Sequence, residues 1–114
     1  MQIRYLEIVT HDVDTTCTIL EKAHGVTFGG PVAELGEART ASLADGGRIG
    51  VRAPLHETEH PVVRPYFQTE NADVSAESAT TAGGELAHPP MEIPGQGKFA
   101  IYLLGGIDHG LWQN

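Results

Sequence analysis

YLEIVTHDVDTTCTILEKAHGVTF, residues 5–28, reads as a strand, a helix and the start of a second strand in immediate succession. Leu6 and Ile8 fall on one face and Tyr5, Glu7 and Val9 on the other, the period of two that marks a half-buried strand over residues 3–9. Asp12 then offers an N-cap, and Asp14 places an acid in the first turn, where unpaired N–H groups favour negative charge. Val13, Cys17, Leu20 and Ala23 recur at helical spacing, so the helix is predicted over 13–24. Gly25 closes it as the left-handed residue. Three short strands follow near 26–33, 38–45 and 48–53, separated by LGE and DGG turns.

The same order of elements is written a second time. Sliding the chain by 59 residues superposes Gly25 on Gly84, Pro31 on Pro90, Gly36 on Gly95, Gly46 on Gly105 and Gly47 on Gly106. Thr10, Asp14, Ala23 and Ala41 meet Thr69, Asp73, Ala82 and Ala100 at the same offset. Glycine and proline set special backbone angles, so turns at matching places mean matching elements. After the polar link APLHETEHP at 53–61, a strand is expected at 62–69 and a helix at 72–82 ended by Gly83-Gly84. Strands near 85–88, 98–104 and 107–113 complete the copy, with His88 in a Pro-rich turn. The fold class is α+β: two tandem βαβββ modules, about 1–55 and about 60–114, forming a curved mixed sheet with helices on its outer face. At 114 residues the two make a single domain around one core.

The totals exclude several functions. Fifteen acids against seven Lys and Arg give a net charge of −8, which argues against nucleic acid and against anionic membrane surfaces. No apolar run approaches the length of a spanning helix, and MQIRYLEIV begins a strand at once, so no signal peptide is expected. The single cysteine, Cys17, is read as a small apolar core residue, and the expected compartment is a reducing cytoplasm.

With the quoted opening, the close GGIDHGLWQN at 105–114 resembles the vicinal-oxygen-chelate superfamily, which includes glyoxalase, bleomycin-resistance and ring-cleaving dioxygenase relatives. One glyoxalase-like branch ends in the same GLWQ. The resemblance covers nearly the whole chain and rests on the order of elements and on GLWQ. One departure is that Leu103-Leu104-Gly105-Gly106 stands where the family often has an Asp-Pro-x-Gly turn. The resemblance implies a cup in the curved sheet where four side chains, typically His, Gln or Glu from the first and last strands of each module, hold a metal. Carried over, those positions are Tyr5, Gly50 or Val51, Arg64 and Gly110. Gly and Val have no donor and Arg repels a cation, so neither metal nor other cofactor is expected. His56 and His60, with Glu57 and Glu59, lie in the linker, where adventitious metal binding is the expectation. His109 is turned by strand alternation to the face opposite Gly110.

On the cup face the pattern places Tyr5, Glu7, Arg64, Tyr66, Gln68, Gly110 and Trp112: aromatic walls with a few polar fixtures, the composition of a small-molecule pocket. Gly110 lets a ligand approach the backbone. The plain reading of Glu7 and Arg64 is an ion pair across the pseudo-twofold axis. The sharper one makes Glu7 a general base and Arg64 an anion holder in a lyase, isomerase or oxygenase. The function read from the sequence is a binding protein that holds a small molecule in the cup without metal. The resemblance further implies a homodimer, and the short edge strands need cover. Glyoxalase I and extradiol dioxygenase activities, which rely on bound metal, are disfavoured.

Overall fold

A computed structural model describes residues 1–114. Eight strands and two α-helices follow in the order β1 (Ile3–Val9), α1 (Val13–His24), β2 (Pro31–Val32), β3 (Ala38–Ser42), β4 (Arg48–Arg52), β5 (Val62–Gln68), α2 (Ala72–Thr81), β6 (Glu85–Ile93), β7 (Gly97–Leu104) and β8 (Ile107–Gln113). A 3-10 turn at Ala33–Leu35 separates β2 from β3. This is the α+β class expected from the repeat, with parallel and antiparallel pairing mixed. Neither helix is long and apolar enough to cross a membrane.

The chain forms two compact units, Tyr5–Val63 and Arg64–Asn114, the second also taking in Met1–Arg4. In the first, β1 pairs parallel with β4 (Glu7 opposite Gly50), and β3 and β2 add antiparallel strands. In the second, β5 pairs parallel with β8 (Tyr66 opposite Gly110), and β7 and β6 follow antiparallel. Each copy therefore sets its first and last strands side by side, which brings chemistry from both ends of a module onto neighbouring positions. The N-terminal residues stay with the second unit: the Gln68 N–H donates to the Gln2 carbonyl at 2.8 Å and Arg4 Nε to Asn114 Oδ1 at 3.0 Å.

Helix α1 lies on the Leu6/Ile8 face. Cys17, Phe28, Ala41 and Val51 form its core, with Ile8, Val13, Leu20, Val26 and Ile49 packed around them. Cys17 is fully buried, and burial pushes its thiol above the ordinary range, as an inert packing residue requires. Helix α2 buries only small residues, Ala72 and Ala76, and its core is Ala76, Ala100 and Leu111 with Tyr102. What it lacks in apolar bulk is partly offset by end contacts. The Asn71 side chain accepts from the Val74 N–H at 3.1 Å and Gln113 Oε1 accepts from the Ala72 N–H at 2.8 Å.

The structure departs from the expected limits for local reasons. Asp12 stands at the N-cap of α1, but its side chain makes no capping hydrogen bond. The strand expected over 26–33 shrinks to Pro31–Val32, because the Phe28 N–H is taken by the Glu21 carboxylate at 2.9 Å and Gly29 bonds across to Thr40. Gly25 and Gly84 are not conformational equivalents. Gly25 (φ 72) donates to the Glu21 carbonyl as a left-handed cap, whereas α2 closes one residue earlier, on Gly83 (φ 115). Gly84 then donates back to Ala79, the longer bond of a Schellman closure. The two-residue loop Gly105-Gly106 has positive φ at both positions, as a type I′ hairpin demands. His88 sits within β6, not in a turn.

Nothing lies within 4 Å of a methyl group built on Gly25 or on Gly29, and only Gly25 has positive φ. Gly25→Ala should therefore lower the unfolding free energy by about 1–2 kcal/mol, Gly25→Asn by less, and Gly29→Ala hardly at all, measured by urea melts.

Candidate functional site

In the first unit the β1–β4 register aligns Tyr5, Glu7 and Val9 with Arg48, Gly50 and Arg52 on the face away from α1. This face is the better buried of the two: Tyr5 is 2% exposed, Glu7 7% and Arg52 5%. Two buried charges are costly unless paired, and here they are. Arg52 Nε donates to Glu7 Oε2 at 2.8 Å, while its Nη1 and Nη2 donate to the two oxygens of Glu59 at 2.7 and 2.8 Å. The forked, bidentate geometry is the strongest form of this contact. Glu59 also accepts from the Leu55 N–H at 2.7 Å, so the linker folds back on itself and is tied to β4.

The hydrogen bonds from Arg52, more than any other influence, hold the Glu59 carboxyl down at about 2. Glu59 in turn holds the Arg52 guanidinium above its ordinary range. Burial, then the nearby Glu7 charge, push the Tyr5 phenol above its ordinary range, so Tyr5 is a neutral phenol at all physiological pH. The Arg48 guanidinium lies 5.7 Å from the Tyr5 ring centroid.

In the second unit Arg64, Tyr66 and Gln68 of β5 share a face with Gly110 and Trp112 of β8, as the alternation predicts, while Leu111 turns into the α2 core. Arg64 is 9% exposed and its Nε and Nη2 both donate to Asp108 Oδ2 at 2.8 Å. Tyr66 and Trp112 meet edge to face at 5.6 Å, and Phe99 of β7 meets Tyr66 at 6.2 Å. Tyr66 and Trp112 are only 4% and 2% exposed, so they form the floor of this face rather than its open wall; Gln68 is exposed. His109 lies on the other face, stacked on Tyr102.

The two glycines opposite β1 and β5 have one shared purpose. A methyl group built on Gly50 would overlap the phenol of Tyr5, and one built on Gly110 would overlap the ring of Tyr66. In both modules a tyrosine ring fills the space that a longer side chain from the last strand would need. These are the positions where the resemblance places metal ligands. Tyr5 and Gly50 supply a neutral phenol and a hydrogen atom, and Arg64 and Gly110 a cation and a hydrogen atom, so neither pair fits a divalent metal. No group of three or more His, Cys, Asp or Glu side chains stands together in a way that could hold one. The linker does not collect donors either, since both Glu59 oxygens face Arg52 and His56 Nδ1 meets Thr58 Oγ1 at 2.8 Å.

The strand registers put Tyr5, Glu7, Arg64, Tyr66, Gln68, Gly110 and Trp112 on the faces that alternation predicts for them, and add Arg52, Asp108 and Phe99, while Glu59 belongs to Arg52 and not to a linker metal site. Arg52 and Phe99 were legible by alternation alone, being two residues from Gly50 and opposite Trp112. The Glu59 contact depends on how the linker folds and leaves no periodic signal.

This geometry is that of the vicinal-oxygen-chelate fold. Methylmalonyl-CoA epimerase of Streptomyces coelicolor superposes with a TM-score of 0.74 at 18% identity, over 100% of this chain and 94% of its own. The Mycobacterium tuberculosis epimerase gives 0.74 at 15%, over 97% and 86%. A hypothetical protein of Bacillus halodurans C-125 gives 0.77 at 8%, over 99% and 94%. In sequence, the chain is similar to the anthracycline biosynthesis proteins DnrV of Streptomyces peucetius and DauV of Streptomyces sp. strain C5. Identity is 24% and 23% over 99 residues, covering 72% of this chain and 36% of each relative. The chain thus spans about a third of the length of these curated relatives. No family model matches it.

Glu59→Gln should destabilise the fold at neutral pH by roughly 2–3 kcal/mol, the ceiling that a carboxyl lowered from 4.5 to about 2 allows. Because the folded-state value is depressed, this contribution is fully present above pH 4.5 and is lost as pH falls towards 2. The gap between native and variant urea midpoints should close across that window. Gly50→Ala should cost about 1–3 kcal/mol by overpacking against Tyr5, and Tyr5→Ala should relieve much of it in the double mutant.

Proposed function

We propose that the chain is a small-molecule-binding protein of the vicinal-oxygen-chelate fold that works without a divalent metal. The observation that carries this reading is the filling of both last-strand ligand seats by tyrosine rings over Gly50 and Gly110. A metal-dependent relative needs long donors there, and here the space is given to aromatic carbon. Beside these seats the Tyr5 phenol is neutral, and the carboxylates nearest the buried cations, Glu7 and Asp108, are engaged by Arg52 and Arg64.

Such a surface suits an organic ligand with a flat apolar body and a few polar substituents. The similarity to proteins described as acting in anthracycline biosynthesis favours a polycyclic, oxygenated ligand of that kind. A second reading draws on Glu7, a carboxylate 7% exposed and oriented by Arg52 through Oε2. In that reading Glu7 moves a proton of the bound ligand, with Arg52 as the residue that positions the base.

The test pairs two measurements on the native protein. Elemental analysis after dialysis should find no stoichiometric Zn, Ni, Mn or Fe. Trp112, the only tryptophan, should change its fluorescence on titration with hydroxylated anthraquinones. One metal per chain, lost on Glu7→Ala, would overturn the metal-free reading. Turnover of such a ligand that vanishes in Glu7→Gln while binding persists would promote the second reading over simple sequestration.

A further inference from the structure

Beside the aromatic floor of the second unit the pairing of β6 with β7 is irregular. Strand β6 pairs with β7 as Leu86 opposite Tyr102, His88 opposite Ile101 and Met91 opposite Phe99. Between the first two pairs β6 advances two residues against one, and between the next two it advances three against two, so His88 is flanked by register shifts on both sides. Bulges of this kind re-aim a side chain. Pro89 and Pro90, tolerated on a strand that pairs on one side, stiffen the segment directly after it.

The result is that the His88 ring stacks on Phe99, with centroids 4.7 Å apart and planes 30° apart. Phe99 in turn meets Tyr66, and Tyr66 meets Trp112. Tyr66 and Trp112 are buried, but His88, Phe99 and Ile101 are half-buried and Met91 is 49% exposed. An aromatic ladder thus rises from a buried floor to an accessible rim within one unit.

The rim also has a defined polarity. His88 Nδ1 lies 2.7 Å from the Pro89 carbonyl oxygen. A carbonyl only accepts, so Nδ1 carries the proton, and in the neutral ring Nε2 is left as a hydrogen-bond acceptor. An acceptor nitrogen at the edge of a stacked aromatic platform selects for a hydroxyl on a flat ring.

We infer that His88 and Phe99 form a recognition platform for the aromatic part of a ligand, with Phe99 and Met91 taking its face or edge and His88 Nε2 accepting a phenol or enol hydroxyl. The inference rests on the small-molecule reading above and adds the ligand class and the residues that read it. Nothing in it depends on Glu7 or on the absence of a metal.

The experiment uses the 15N-labelled 114-residue chain, in which Trp112 gives the single indole N–H signal, titrated at pH 8 with 2-naphthol and 2-methoxynaphthalene. The two probes share the flat apolar body, and only the first has a hydroxyl to donate. The native protein should bind 2-naphthol about tenfold more tightly, the ratio expected for one donated hydrogen bond, with the indole signal shifting in both titrations. His88→Phe keeps a stacked ring but removes the acceptor, and should bring the ratio close to one while both probes still bind. His88→Gln, which restores an acceptor oxygen, should recover part of it. Phe99→Ala should weaken both probes, and thermal melts of each variant would separate lost binding from lost folding. An unchanged ratio in folded His88→Phe overturns the platform and leaves the small-molecule reading standing. Native protein that binds neither naphthalene overturns the platform as well, and hydroxylated anthraquinones still moving Trp112 fluorescence would then show that the broader reading survives.

Discussion

The guanidinium of Arg52 is the contact on which the first unit depends. It is 5% exposed, and an unpaired charge at that depth would cost several kcal/mol. Its fork therefore dictates where two carboxylates go. Glu7 is fixed from the middle of β1, and Glu59 is drawn in from the linker, bringing the 53–61 segment back against β4. An ion pair of this kind need not add net stability over an apolar contact of the same shape. What it does is make the alternatives expensive: a linker that swings away strands Arg52 with one partner for two buried positions. The linker is thus a clasp, built from residues that read as a loose polar tether.

The repeat carries one arrangement in both units. Each module places its first and last strands in parallel contact. The last strands contribute Gly50 and Gly110, and a tyrosine from each neighbouring strand fills the space beside them. The closing GLWQ shows how completely this is worked into the fold. Gly110 lies beneath Tyr66, Leu111 packs with Ala76 and Ala100 under α2, Trp112 joins the aromatic floor, and Gln113 caps α2 through the Ala72 N–H. Four consecutive residues serve four different structural contacts.

Much of this was legible in the sequence because it is periodic. Alternation in residues 3–9 and 62–69 assigns Tyr5, Glu7, Arg64 and Tyr66 to their faces, and helix α1 begins and ends where its apolar spacing and Gly25 put it. The illegible parts are those where a side chain overrides the backbone pattern. Glu21 takes the Phe28 N–H and so removes most of a strand from 26–33. The second helix does end at the Gly83-Gly84 pair, but by a Schellman closure and not by the single left-handed cap that Gly25 provides. His88 was assigned to a turn because two prolines follow it, and proline in a strand is tolerated only at an edge or a bulge; β6 offers both. Alternation gives Arg52 its face but not its partners, because the pairing of Arg52 with Glu7 and Glu59 and of Arg64 with Asp108 has no periodicity.

Metal-free function requires that aromatic carbon, and not a metal centre, occupies the two glycine seats. Paramagnetic titration tests this directly: Mn2+ is added to 15N-labelled protein and the broadening of each backbone signal is followed. The filled seats predict that the amides of Gly50 and Gly110 keep their intensity at substoichiometric metal, with any early broadening confined to the exposed linker around His56 and His60. Selective loss of the Gly50 and Gly110 signals at the first additions would contradict it, and would place a cation where the tyrosine rings are.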